Sequence, residues 1–306
     1  MDTRTMTPAI LAGSVIAVPP VARHDDLSWN VDANRRIIQH LEAGGVTTLL
    51  YGGNAALAHV ALAEYPALLT MLSESAGPST IVVPSVGPSF GQMMDQASIL
   101  KDFAFPTVML LPSRDAMTPA GLALGIQRFV DKLGKPIVLY IKQDGMVDVE
   151  TVQKMVGDGL ISWIKYAVVR SDTADDPFLK SLIQAVGASS IVSGMGEQPT
   201  ITHLRDFGLS CFTSGCVCIA PRHSMRMLAA LKAGDFATAE SIRRQFAPLE
   251  RLRDTISPVR VLHAAVQLAG IAETGPVTPF WSPVPASDHA AIRAAALELL
   301  ALNGEG

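Results

Sequence analysis

The sequence predicts an α/β fold, a (β/α)8 TIM barrel with a C-terminal helical extension, on three observations. A phrase recurs along the chain: the end of an amphipathic helix, a Gly or other break, then a short apolar strand finishing in Gly, Ser or a polar residue. Counting the first strand there are eight such strands, most of them separated by helix-length segments, and eight alternating units suggest a closed parallel barrel more than an open sheet. Past Pro221 the phrase stops and helical spacing alone continues.

In chain order, Ser14-Val15-Ile16-Ala17-Val18 reads as the first strand, closed by Pro19-Pro20, with a helix from about Asp32. The second copy runs from Leu41 to Gly52 and the third from Thr80 to Gly87. Phe105 to Pro112 and Gly134 to Tyr140 give the fourth and fifth. Gly159 leads into the sixth, Ile161 to Val169; Ser189 to Gly194 is the seventh and Gly208 to Gly215 the eighth. After Gly234-Asp235, a break and an N-cap, Phe236, Ala239, Ile242, Phe246 and Leu249 recur at helical spacing. Further helices are predicted over about 258–272 and 287–302, on either side of the Pro-rich segment from Pro276 to Pro285. Without a low-complexity linker, the reading is a barrel over 1–221 and a helical region over 222–306 packed on it.

The 306 residues suffice for a large core, and 49% hydrophobic with 17% charged residues fits a compact globular body. A net charge of −4 supplies neither a basic footprint for nucleic acid nor a polybasic segment for a membrane surface. Cys211, Cys216 and Cys218 form no C-x-x-C and cannot all pair, so they read as small buried hydrophobes. Arg4 and the apolar run from Ala9 to Val18 mimic a secretory signal, but Asp2 sits in the supposed basic part and Pro19-Pro20 follows without a cleavage pattern. No apolar stretch approaches the ~20 residues of a membrane span. The expected location is the cytoplasm.

Chemistry in such a barrel sits at the C-terminal ends of the strands. Among the eight, the sixth alone carries a charge inside its apolar run, Lys165. Strand alternation puts Ile161, Trp163, Lys165, Ala167 and Val169 on one face and Ser162, Ile164, Tyr166 and Val168 on the other. Both faces are largely apolar, which marks a parallel strand covered on both sides and points the ammonium into protein. Desolvation disfavours its charged form and releases a nucleophilic amine. The competing reading is a lysine that snorkels from a strand end. Tyr140 ends the neighbouring fifth strand, and strands ~4.8 Å apart bring inward side chains of similar height together. A phenol beside a desolvated amine is a proton-transfer pair, against the alternative of a packing tyrosine.

With Tyr140 in Ile-Val-Leu-Tyr, Lys165 in Ser-Trp-Ile-Lys 25 residues on, a glycine-rich end to strand two and Gly194-Met195-Gly196-Glu197 on the seventh, the chain resembles a divergent member of the dihydrodipicolinate synthase and N-acetylneuraminate lyase family, the Schiff-base-forming class I aldolases. The resemblance runs from about Leu11 to Leu302. It implies that Lys165 forms a Schiff base with a 2-keto acid, typically pyruvate, that Tyr140 relays protons, that no metal or dissociable cofactor is required, and that the chain forms a homo-oligomer, usually a tetramer. Gly53 and Asn54 stand where the family binds the keto-acid carboxylate. Gly194, Glu197 and Arg114 are the further candidate substrate contacts.

The departures bear on the substrate. Gly52-Gly53-Asn54-Ala55-Ala56 replaces the family's Gly-Thr-Thr-Gly-Glu, so backbone N–H groups remain for a carboxylate while the hydroxyl relay is lost. Ser113-Arg114 replaces a tyrosine that synthases lend to a neighbouring subunit, and Ile141-Lys142-Gln143-Asp144-Gly145 lacks their arginine. Trp163 stands where a small residue is usual and fills the barrel below Lys165. Gly196 and Gly215 replace an acid and a serine of the sialic-acid lyases. The expectation is therefore a lyase or aldolase acting on pyruvate or a related 2-keto acid, but not the lysine-pathway synthase. Dehydration of a sugar acid through the same imine, or a non-catalytic keto-acid-binding barrel, are the alternatives. Arg114, Lys142 and Arg170 are candidates to neutralise a second carboxylate, or else solvated surface charges.

Overall fold

Apolar runs with no polar face are satisfied only where side chains are covered on both sides, and that is where they lie. The computed structural model describes residues 1–113 and 117–304. Its strands are β1 (Ile16–Ala17), β2 (Thr48–Leu50), β3 (Ile81–Val83), β4 (Ser85–Val86), β5 (Met109–Leu110), β6 (Ile137–Ile141), β7 (Ile161–Tyr166), β8 (Ile191–Ser193) and β9 (Thr213–Ser214). All pair in parallel, in the orders β3-β2-β1-β9 and β4-β5-β6-β7-β8.

Two seams join these sheets. The predicted third strand is split by Pro84, which has no N–H to give a ladder, although its carbonyl still accepts from Met109 N at 2.9 Å. β3 and β4 are thus two halves of one barrel position. At the other seam Ser193 bridges Phe212, and Ser193 N donates to the Cys211 carbonyl and Gly196 N to that of Thr213, both at 3.0 Å. The eight positions close into the predicted barrel.

The outer helices are α1 (Pro8–Gly13), α2 (Val31–Ala43), α3 (Tyr65–Ser75), α4 (Phe90–Leu100), α5 (Pro119–Leu133), α6 (Val149–Gly157), α7 (Pro177–Val186) and α8 (Thr200–Arg205). Asn30, Thr118, Asp148 and Asp176 cap α2, α5, α6 and α7, each accepting from a backbone N–H of the first turn. Beyond the barrel come α9 (Pro221–Lys232), α10 (Phe236–Thr255), α11 (Pro258–Leu268) and α12 (Ala286–Ala301). Asp235 caps α10 by accepting from Thr238 N at 3.0 Å, as its place after Gly234 predicts. Phe246 and Leu249 of α10 are buried, and the same helix carries Glu250, also buried, against the barrel.

One expectation fails at the end of the sixth barrel strand. The ladder stops at Tyr166, short of Val169, which borders the same cavity as Lys165 but is 73% exposed instead of covered. Among the described residues, the three cysteines are buried thiols and no helix is long and apolar enough to cross a membrane.

Candidate active site

Registry brings the two predicted residues together: Tyr140 on β6 pairs directly with Lys165 on β7. The Lys165 amine lies over the Tyr140 ring, 4.5 Å from its centroid, and the lysine is only 5% exposed. Burial, with the charges of Lys142 and Arg253 adding to it, pulls the Lys165 amine down to about 7. Near neutrality a large fraction is therefore the unprotonated nucleophile.

The lysine stem is accommodated by a glycine. A Cβ on Gly194 would lie 3.0 Å from Lys165 Cγ and 2.7 Å from the Tyr166 carbonyl oxygen, so a side chain here would press on both. Gly194 borders the cavity, but its N–H is spent on the Tyr166 carbonyl at 2.7 Å. Its part is to leave room for Lys165 rather than to donate to a substrate. Two residues before the lysine, Trp163 fills the barrel as expected, fully buried, and its indole N–H finds no acceptor among the described residues.

The other face of β7 anchors the strand. The Tyr166 hydroxyl donates to Asp176 at 2.6 Å, and Asp176 also accepts from Leu179 N at the start of α7. Arg170 borders the cavity, yet its guanidinium is held by Asp144 and Asp176. The reading of Arg170 as a partner for a substrate carboxylate is thereby corrected: two carboxylates of this chain already neutralise it.

Gly53 and Asn54 face Lys165 across the cavity mouth, at the start of a short 3-10 turn over Gly53–Ala55. The first N–H groups of such a turn have no carbonyl within it, which makes them donors for an anion. The Asn54 side chain is not in reserve for that purpose, since its amide donates to the Val18 carbonyl at 2.9 Å. Arg114 lies outside the described residues.

Glu197 is placed differently from expectation. It is fully buried behind the cavity wall, where Ser224 Oγ donates to its carboxylate at 3.1 Å, and it does not border the cavity. In its stead Glu250 of α10 reaches the cavity, accepting from Glu197 N at 2.9 Å. Burial raises both carboxyls above the ordinary carboxylate range, and the charge of Glu197 raises Glu250 further. Arg253, three residues along α10, also lines the cavity. Neither α10 residue was singled out from the sequence; the one available signal was the pair of glycines, 196 and 215, where relatives of the resembled type carry side chains.

These groups surround one cavity of about 490 Å³, a size suited to a small metabolite, with Lys165 and Tyr140 on one side, the Gly53–Asn54 turn on another and α10 on a third. The model of the dihydrodipicolinate synthetase family matches residues 13–295. The chain belongs to this family. Its relatives include a probable 5-dehydro-4-deoxyglucarate dehydratase 2 of Streptomyces coelicolor, 25% identical over 283 residues, 90% of this chain and 86% of that protein. A 4-hydroxy-tetrahydrodipicolinate synthase of Stutzerimonas stutzeri is 23% identical over 248 residues, covering 79% of this chain and 82% of the other. Among solved structures, dihydrodipicolinate synthase from Bacillus clausii superposes with a TM-score of 0.83 at 18% identity over 97% of this chain and 99% of that one, which establishes the shared fold. As a member of the dihydrodipicolinate synthetase family the chain is a lyase-type enzyme.

Proposed function

We propose that this family member is a class I lyase in which Lys165 condenses with pyruvate or a related 2-keto acid. The observation that carries the reading is the buried Lys165 amine, lowered to about 7 on a cavity wall and set over the Tyr140 ring. The neutral amine attacks the keto carbonyl, the carbinolamine loses water, and the resulting iminium takes up the electron pair released when a carbon–carbon bond to the adjacent carbon breaks. Tyr140 hands protons to the carbinolamine oxygen and to the carbon that arrives or leaves. The backbone N–H groups of Gly53 and Asn54 hold the keto-acid carboxylate.

A second reading uses the same imine for dehydration, and it is favoured by the dehydratase named among the relatives. Loss of a proton from the carbon next to the iminium gives an enamine. The enamine then expels hydroxide from the following carbon as water, and hydrolysis returns Lys165.

Incubation with pyruvate and borohydride, followed by peptide mass analysis, tests the common step. A reduced adduct on Lys165, absent in Lys165→Ala, is expected; no adduct with pyruvate or any of a panel of 2-keto acids sinks the reading. Carbonyl release from hydroxy-keto acids identifies carbon–carbon cleavage, whereas water loss with the carbon skeleton intact identifies dehydration.

A further inference from the structure

The α10 wall of the cavity brings two buried acids and one cation together. Gly196 and Gly215, on the loops after β8 and β9, each leave a gap, and α10 fills both. A Cβ on Gly196 would run into Glu250 Oε1, and one on Gly215 would lie 2.7 Å from Arg253 Nη2 and 2.8 Å from its Cζ. Glu250 is thereby pressed onto the Glu197 loop, where its Oε1 accepts from Glu197 N at 2.9 Å. It borders the cavity yet is only 3% exposed. The charges of both acids act on Arg253.

As carboxylates the two groups are acceptors only, and Oε2 of each is then buried with no donor among the described residues. The two carboxyls nevertheless lie within hydrogen-bonding reach of each other. Two acceptors make no hydrogen bond unless one of them carries a proton. A single shared proton supplies the missing donor, and with Arg253 it leaves the buried cluster neutral, where two carboxylates would leave it anionic. Burial and the charge of Glu197 raise the Glu250 carboxyl, which puts the proton on the member of the pair that borders the cavity.

The two outcomes open to a Lys165 imine differ at one substrate atom, the hydroxyl oxygen on the second carbon from the imine carbon. Carbon–carbon cleavage requires a base to take that hydroxyl's proton, whereas water loss requires an acid to give it one. A neutral carboxyl can do only the second. The α10 wall is close to the reaction, since the charge of Arg253 is among those that act on the Lys165 amine.

We infer that Glu250, holding the proton it shares with Glu197, is the general acid that protonates this hydroxyl, so that the imine leads to loss of water rather than to carbon–carbon cleavage. The carbon–oxygen bond breaks and its electron pair leaves on oxygen with the Glu250 proton, as water. The enamine pair becomes the new carbon–carbon double bond and the iminium re-forms. Glu250, now a carboxylate beside Arg253, regains the proton released when the enamine formed. Glu197 acts through Glu250 and is a positioning residue. The inference rests on the Lys165 reading for the imine, and the proton on the pair can be read without it.

Infrared spectra near neutral pH read that proton with no substrate present: the carbonyl stretch of a protonated carboxyl should appear in the wild type and be missing from Glu250→Gln. This variant keeps the hydrogen bonds of the acid form, accepting from Glu197 N and donating to the Glu197 carboxylate, but has no proton to give. Its rate of water loss from 4-hydroxy-2-oxobutanoate and 4-hydroxy-2-oxopentanoate should fall about 10²- to 10⁴-fold. Pyruvate with borohydride should still label Lys165, and pyruvate should still exchange its methyl hydrogens in deuterium oxide, because these steps need imine and enamine but no leaving hydroxyl. A merely structural role would depress all of them together. Glu197→Gln covers the case in which Glu250→Gln fails to fold. Without the like charge Glu250 gives up its proton more readily, so the decline of water loss at high pH should begin at a lower pH than in the wild type. Arg243 and Arg253 on α10 and the Cys216 thiol after β9, which also act on Glu250 or feel its charge, are common to both proteins. No carboxyl band in the wild type, carbonyl release in place of water loss, water loss that survives in Glu250→Gln, or an unshifted profile in Glu197→Gln overturns the inference. Absence of both label and exchange from the wild type counts instead against the imine, and the infrared band then decides on the pair.

Discussion

Lys165→Met should make the protein more stable, and by an amount that depends on pH. Methionine keeps the length of the stem beside Gly194 and removes the amine. A fall from the ordinary 10.5 to about 7 means that burial opposes the ammonium. At ~1.4 kcal/mol per tenfold this corresponds to about 5 kcal/mol, an upper figure for a side chain that borders a cavity. Between the two values the unfolded chain holds a proton that the folded chain has shed. The folding stability of the wild type therefore rises with pH across that window and carries the full penalty below about 7. The variant lacks this group. Its advantage should be largest near about pH 6 and nearly gone above about pH 10. For a chain of this size a gain of a few kcal/mol raises the thermal midpoint by roughly 5–10 °C. Melting curves followed by circular dichroism, for both proteins at both pH values, read the difference directly, with other titrating groups common to the two. An equal gap at both values, or no gain at the lower one, would mean that the amine is solvated and charged like a surface lysine, and the argument for its nucleophilicity would fall with it.

The same titration predicts that kcat/KM rises with pH through about 7 and then levels, because the reacting form is the neutral amine; a profile flat across that region excludes Lys165 as the titrating nucleophile. Tyr140→Phe should lower turnover by roughly 10²- to 10⁴-fold while pyruvate and borohydride still label Lys165 on long incubation. Wild-type turnover in that variant would remove Tyr140 from the proton path. Gly194→Ala should cost about 1–3 kcal/mol in urea unfolding and slow adduct formation, since its new methyl meets backbone at the Tyr166 carbonyl as well as the lysine stem. Unchanged unfolding and labelling would show that the strands part easily there. Trp163→Phe should fall within about 1 kcal/mol of the wild type, because the lost ring volume is offset by removal of a buried donor without an acceptor. A loss above about 3 kcal/mol would reveal a partner for that indole N–H.

Lys165 and Tyr140 were legible in the sequence because a charge and a phenol stand out in runs whose other members are apolar, and parallel register does the rest. The strand ends were less so. Alternation extrapolates past Tyr166 to Val169, but the bond from Tyr166 to Asp176 ties the strand to α7, and the ladder stops at Tyr166. The third strand was read as continuous through Pro84 because its apolar pattern is unbroken; the missing N–H breaks the ladder and not the barrel. Arg170 read as either a substrate partner or a solvated surface charge, and neither reading anticipated its two partners, 26 and 6 residues away in sequence. Glu250 and Arg253 were hidden for a different reason. Both are polar residues at the end of a helix whose spacing of Phe246 and Leu249 predicts ordinary packing, and charged residues there read as solvent-facing until the glycine gaps are seen.

The two gaps also constrain how the protein can vary. Positions 196 and 250, and likewise 215 and 253, are couples in which one partner has given up its side chain to the other. Enlarging a glycine alone forces a collision, and trimming its α10 partner alone leaves a hollow in the cavity wall. A viable route from one specificity to another therefore passes through paired changes. Barrel loop and appended helix would drift in step, and single substitutions at any of the four sites would be read by selection as defects before they could be read as new preferences.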